Sequence, residues 1–224
     1  MKKFLGLTVC LIVAFFSNAQ KPFEGKITYT VDVTGEGSEM MGAFMFNSYE
    51  YYFAENKVRL TMGGGMSFMF GTFIVNEELK TSYMLMEEEE VAYDMSTIEE
   101  DEESTEGTNP PKIEKLNETE SILGYRCDKY KMTVIEDATT TVTYYWVTEE
   151  LIPKSSKKIG TTSSLYIDGI SGFPLKIVTE FDGLVMTQVA TEISKKKPES
   201  SLFEIPAGYV IKDFSESPIA DFGE

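Results

Sequence analysis

The sequence contains no histidine. That removes the commonest general base, the usual activator of a serine or cysteine nucleophile, and the most frequent zinc ligand. Cysteine is almost as scarce. Of the two present, Cys10 lies in the apolar N-terminal segment, so a chain cut after that segment keeps Cys127 alone and can form no internal disulfide. Sulfur-only zinc and iron–sulfur sites are excluded within one chain for the same reason. Tryptophan is limited to Trp146, which argues against a sugar cleft paved with indoles, and no localised pair of carboxylates stands out for glycoside chemistry. Positive charge is also in short supply. Twenty Lys and Arg residues face 37 Asp and Glu, for a net charge of −17, which repels nucleic-acid phosphates and anionic headgroups. No apolar run reaches the roughly 20 residues that a membrane helix needs.

At the N-terminus, Lys2-Lys3 precede an apolar run from Phe4 to Phe16, then Ser17-Asn18-Ala19 and Gln20. A positive start, a short apolar core and small residues before the cut form the pattern of a cleaved signal peptide, residues 1–19. The expected product begins at Gln20 and is exported: periplasmic, or at the outer envelope or outside the cell. Cys10 follows Leu7-Thr8-Val9, and valine fits poorly where a lipid-anchor signal expects a small residue, so the product is read as unanchored. Loss of Lys2 and Lys3 leaves 18 basic against 37 acidic residues, a net charge of −19. Residues 20–224 suffice for one domain with its own core.

Period-two alternation dominates this domain. Ile27, Tyr29, Val31 and Val33 alternate with Lys26, Thr28, Thr30 and Asp32; Tyr49, Tyr51 and Phe53 alternate with Ser48, Glu50 and Tyr52; Val58, Leu60 and Met62 alternate with Lys57, Arg59 and Thr61. Further strands are predicted at Met66–Val75, Lys80–Met86, Arg126–Glu136, Thr139–Val147, Phe173–Phe181 and Leu184–Ile193, with a short edge strand at Val91–Met95. Gly63-Gly64-Gly65, Asn76-Glu77-Glu78, Gly124 and Asp182-Gly183 supply turns. Such short connections favour an antiparallel meander. One helix is predicted over Thr148–Lys158, limited by Pro153, and a helical turn near Ser163–Asp168. Glu87–Glu90 and Glu99–Glu106 repel themselves and read as solvated loop, the second within an acidic loop at about 96–111. Calcium is the alternative occupant there, without the spacing of a calcium-wrapping loop.

Nine of the eleven methionines after the leader fall between Met40 and Met95. Met62, Met66 and Met69 are close enough in sequence to raise Cu(I) binding, against the alternative of adaptable apolar filling. The strand predicted at Met66–Val75 is apolar on both faces, which a one-sided sheet does not need. A covering layer or an enclosed cavity answers that demand. Cys127 reads as a buried, inert thiol, with a reactive or intermolecular one as the alternative.

Five segments carry a family resemblance: Phe23–Tyr29, Ile122–Tyr130, Tyr144–Val147, Gly172–Leu175 and Phe203–Tyr209. Together they resemble an uncharacterised bacterial envelope family, a domain of unknown function similar to the LolA/LolB-like superfamily of lipoprotein carriers. The resemblance implies a mainly β fold: an incurved antiparallel half-barrel sheet with one or two short covering helices and a concave apolar cavity. It brings no catalytic residue and no cofactor. The chain departs from the carriers in lacking a basic rim. The expectation is a non-enzymatic exported protein that takes a lipid-like ligand among Met62, Met66, Phe68, Phe70, Met84, Met86, Tyr144 and Trp146. The alternative is a structural or interaction module of the envelope with no small ligand.

Overall fold

A computed structural model describes residues 21–97, 110–136, 139–154, 167 and 169–220. The predicted leader, the turn at Ser163–Asp168 apart from Ile167, and most of the acidic loop lie outside those residues. Twelve strands form one open, curved sheet, a half-barrel: β1 Gly25–Gly35, β2 Ser48–Ala54, β3 Lys57–Gly63, β4 Thr72–Asn76, β5 Thr81–Met86, β6 Val91–Asp94, β7 Lys112–Ile122, β8 Tyr125–Glu136, β9 Thr139–Thr148, β10 Phe173–Phe181, β11 Leu184–Ser194 and β12 Val210–Asp213. Their order across the sheet is β12-β6-β5-β4-β3-β2-β1-β11-β10-β9-β8-β7. Among the described residues the single α-helix is α1, Ser38–Phe44, beside β1.

Register turns the alternating sequence into two distinct faces. Ile27 pairs with Tyr51, Tyr51 with Leu60, Leu60 with Phe73, Phe73 with Met84 and Met84 with Tyr93. All of these side chains lie on one face, the core face, and all are buried. Aromatic rings lock its centre: Tyr29 stacks on Tyr49 at 4.7 Å, and Phe53 meets Phe173 edge-to-face at 5.6 Å. The face continues across the other half of the sheet, where Val31 pairs with Gln188, Gln188 with Ile177, Ile177 with Tyr145 and Tyr145 with Tyr130. Two hydroxyls that would otherwise be stranded are satisfied there. Tyr29 Oη donates to the Pro174 carbonyl at 2.6 Å, and Tyr49 Oη donates to Gln188 Oε1 at 2.9 Å.

The opposite face is polar over β1, β2 and β11, where Lys26 Nζ binds Glu50 at 3.1 Å and Glu192 at 3.2 Å. Glu50 is pushed up by partial burial, but the hydrogen bonds from Tyr52 and Lys26 outweigh that and hold its carboxyl below the usual range. Over β4–β6 the same face becomes apolar. Ile74, Leu85 and Ala92 are covered there by Phe203 and by half-buried Leu202, Ile205 and Tyr209. The C-terminal segment therefore forms a strap. It begins on the opposite face as a 3-10 turn at Ser200–Phe203, crosses the sheet edge as β12, and ends with Phe214 and Ile219 against the core face.

The strap decides between two alternatives and corrects two expectations. The apolar excess on both faces is used largely by this cover, so it does not by itself require a cavity. Val91–Asp94 is not an edge, because β12 pairs with it. That pairing is parallel, which a meander would not contain; the whole second half of the sheet separates the two strands in sequence and supplies the crossover. Two local expectations also change. Met66–Phe70 is a 3-10 turn at Ser67–Met69 and not a strand, because Gly64, Gly65 and Gly71 at φ 78°, 53° and 62° bend the chain at both ends of it. Residues 149–154 are not helical. Phe23 N–H donates to the Ile152 carbonyl at 2.8 Å, Phe23 bridges Pro153, and Leu151 is buried in the core.

Candidate functional site

An open cleft lies at the rim of the sheet where β3, β4 and β5 end, mostly on the strap side, because Thr61 and Thr72 pair with each other and alternate with the core-face residues Leu60 and Phe73. After Met62, the glycines at 63–65 turn the chain out. Ser67 N–H donates to Gly64 O, Met69 N–H to Met66 O and Phe70 N–H to Ser67 O, each at 3.0 Å, which winds one tight turn. The chain then re-enters the sheet at Gly71. A Cβ there would collide with the Leu85 carbonyl oxygen, and φ of 62° disfavours any side chain. Glycine at 71 thus lets the turn lie close against β5, with Phe70 packed on the core and Phe68 left 61% exposed.

The resulting cleft has a volume of about 210 Å³ and is lined by Thr61, Met62, Phe68, Gly71, Thr72 and Glu87–Glu89. One wall is apolar and the other carries carboxylates. Glu87 is fixed by Thr72 Oγ1, which donates at 3.3 Å, and by Arg59 Nη2 at 3.4 Å. Arg59 in turn donates from Nη1 to the Leu202 carbonyl at 3.1 Å, so this wall is tied to the strap. Glu88 and Glu89 are exposed at the rim.

The predicted lining residues separate into three groups. Met62 and Phe68 line the cleft, whereas Met86 is buried in the main core cluster behind Gly71, its Sδ 3.1 Å from where a Cβ on Gly71 would stand. Met66 is half-buried beside the turn, whereas Met84 and Phe70 serve the core, Met84 fully buried opposite Phe73. Tyr144 and Trp146 lie elsewhere. They alternate with the core-face residues Thr143, Tyr145 and Val147, and their rings carry lysines: Lys129 Nζ is 4.9 Å from the Tyr144 centroid, and Lys176 Nζ is 4.3 Å from that of Trp146. Glu118 and Glu120 complete ion pairs with those lysines at 3.0 and 2.9 Å. This cation–π ladder on β8–β10, in which Trp146 also packs half-buried against the main core cluster, is structural glue distant in sheet order from β3–β5.

Cys127 is fully buried in the main cluster, and burial pushes its thiol up to about 11. A thiol held protonated and enclosed is a packing residue at neutral pH. Sequence reasoning missed two parts of the site. Glu87–Glu89 read as solvated loop because a charge run gives no hint of a neighbouring apolar turn, and Gly71 gave no strand-breaking signal amid Phe and Met. Among the described residues no group of three or more Asp, Glu or Cys side chains is placed to hold a metal ion, and no helix is long and apolar enough to cross a membrane.

Fold and cleft define a curved, strapped β half-barrel with a small amphipathic recess at one rim. The chain belongs to the family described as the domain of unknown function DUF4412, whose model matches residues 23–209. No curated protein matches it. Among solved structures it is similar to PNGF-II in its C2 crystal form, at 19% identity and TM-score 0.44, covering 85% of this chain and 31% of that one. The chain thus spans under a third of PNGF-II. It is also similar to the lipoprotein LppX of Mycobacterium tuberculosis, at 11% identity and TM-score 0.36 over 78% of this chain and 89% of that one. LprF of Mycobacterium bovis is similar at 12% identity and TM-score 0.34, over 82% and 89%.

Proposed function

We propose that this is an exported, non-enzymatic binding protein whose rim cleft takes the end of a neutral alkyl chain. The observation that carries the reading is that Met62, a buried residue, and Phe68, exposed at the rim, both line one recess of about 210 Å³. Volume decides what fits. Pockets for whole small molecules run from about 300 to 1,000 Å³, so this recess accepts a chain terminus and leaves the rest of the ligand outside. Each methylene buried adds about 0.8 kcal/mol before ordering costs. Charge decides the polarity of the ligand, because Glu87, Glu88 and Glu89 repel a carboxylate or phosphate brought beside them. Export rests on the Lys2–Ala19 pattern.

Isothermal titration of the mature chain with 1-decanol and with decanoate tests this. Decanol is expected to bind and decanoate to bind at least tenfold more weakly, with Phe68→Ser lowering decanol affinity about tenfold, the worth of one apolar side-chain contact. Phe68 is largely exposed, so the substitution leaves folding intact. Absence of decanol binding, or equal binding of the two probes, refutes the assignment.

A further inference from the structure

We propose that the corner formed by α1 and the Ser67–Met69 turn is a docking surface for a basic amphipathic segment of another protein. Met40 and Phe44 stand at i and i+4 on α1, on one side of the helix, and are 71% and 59% exposed. The turn that carries Phe68 is fastened to the end of that helix. Met66 N–H donates to the Phe44 carbonyl at 3.2 Å, and Gly65 lies where a Cβ would strike the Met45 carbonyl oxygen. Three large apolar side chains are therefore exposed at one corner of the fold, where scattered single ones would need no explanation. Methionine and phenylalanine on short, glycine-flanked elements make an adaptable surface of the kind that accepts apolar anchors from helices of varied sequence.

Charge selects the occupant. No lysine or arginine occurs in 36–47 or 62–72, the segments that build this corner, whereas Glu36 and Glu39 do, and Glu87–Glu89 line the cleft beside Phe68. An apolar centre with carboxylates at its margin complements a partner that presents leucine-like anchors flanked by lysine or arginine. A lipid surface is the poorer match, because its phosphates would meet mainly carboxylates, and the nearby Arg59 is already paired with Glu87. The surface does not depend on the cleft holding an alkyl chain, since Met40 and Phe44 are not part of the cleft lining.

The test uses the mature chain at 150 mM salt and an 18-residue amphipathic helix of leucine and lysine, with its leucine–glutamate counterpart and phosphatidylcholine vesicles alongside. The lysine peptide is expected to bind. Met40→Ser/Phe44→Ser should weaken it at least tenfold, Glu88→Gln/Glu89→Gln should slow association and flatten the salt dependence, and Ile135→Ser, exposed on β8 in the other half of the sheet, should change nothing. Decanol titration of the Met40→Ser/Phe44→Ser variant should be unchanged, which keeps this surface separable from the cleft. Undiminished peptide binding by that variant overturns the proposal. So do equal loss in the Ile135→Ser control, equal affinity for the glutamate peptide, and binding of vesicles but not peptide.

Discussion

Replacing Phe203 with alanine is expected to lower the unfolding free energy by about 3–5 kcal/mol, the usual cost of emptying a buried phenylalanine site. Phe203 is 110 residues and more from the strand residues it covers, and it is the one fully buried large side chain of the strap on the opposite face. Without it Ile74, Leu85 and Ala92 lose their cover, and the hydrogen bond from Arg59 to the Leu202 carbonyl loses its anchor. A domain of this size has about 5–15 kcal/mol in total, so the variant should unfold at far lower urea. Val210→Ala on β12, whose side chain is largely exposed, should stay within about 0.5 kcal/mol of the parent. Should Phe203→Ala cost less than about 1 kcal/mol, the strap is an appendage and not part of the fold. Loss of strap contacts also frees Arg59 from one side of the cleft, so the variant should bind decanol more weakly even below its unfolding transition.

The difference between what could and could not be read from the sequence follows the same division between local and long-range structure. Tyr49-Tyr51-Phe53 and Val58-Leu60-Met62 announced β2 and β3 because each strand has one wet and one dry face, and the alternation records it. Asp182-Gly183 announced its hairpin because both residues must take positive φ, here 46° and 78°. The segment Lys112–Ile122 gave no such signal. It is the outermost strand, nearly all exposed, with its register broken between Lys115 and Thr119, so it has no dry face to record. Val210–Asp213 is four residues long and gains its partner only through the strap. The lining residues fared by the same rule. Met62 and Phe68 meet because the turn that carries Phe68 folds back from the end of β3, whereas Tyr144 and Trp146 lie on β9, distant in sheet order.

Stability should fall steeply above about pH 9, and Cys127 should account for the onset. Its thiol ordinarily titrates near 9.0 and is pushed up to about 11 by burial in the folded chain. The sign follows from proton binding. Between those two values the unfolded chain has released the proton and the native chain still holds it, so rising pH favours unfolding. The contribution is complete below pH 9 and is lost progressively toward pH 11, on the order of 2–3 kcal/mol at 1.36 kcal/mol per pH unit. Tyr145 follows one unit later, pushed up from 10.0 to about 12 by burial on β9, and Tyr49 moves in the same direction through burial and the neighbouring Tyr29 and Tyr51. Ionised Tyr49 would also lose the proton it donates to Gln188. Urea midpoints at pH 7.5, 9, 10 and 11 measure the slope. Cys127→Ala should start less stable at pH 7.5 and lose little between pH 9 and 10, so the two curves converge before both drop through the tyrosine range. Parallel curves for parent and Cys127→Ala would mean the thiol ionises alike in both states and is not enclosed. The same enclosure predicts that a thiol reagent at pH 8 labels the native chain only as fast as it unfolds, and labels the urea-unfolded chain at once.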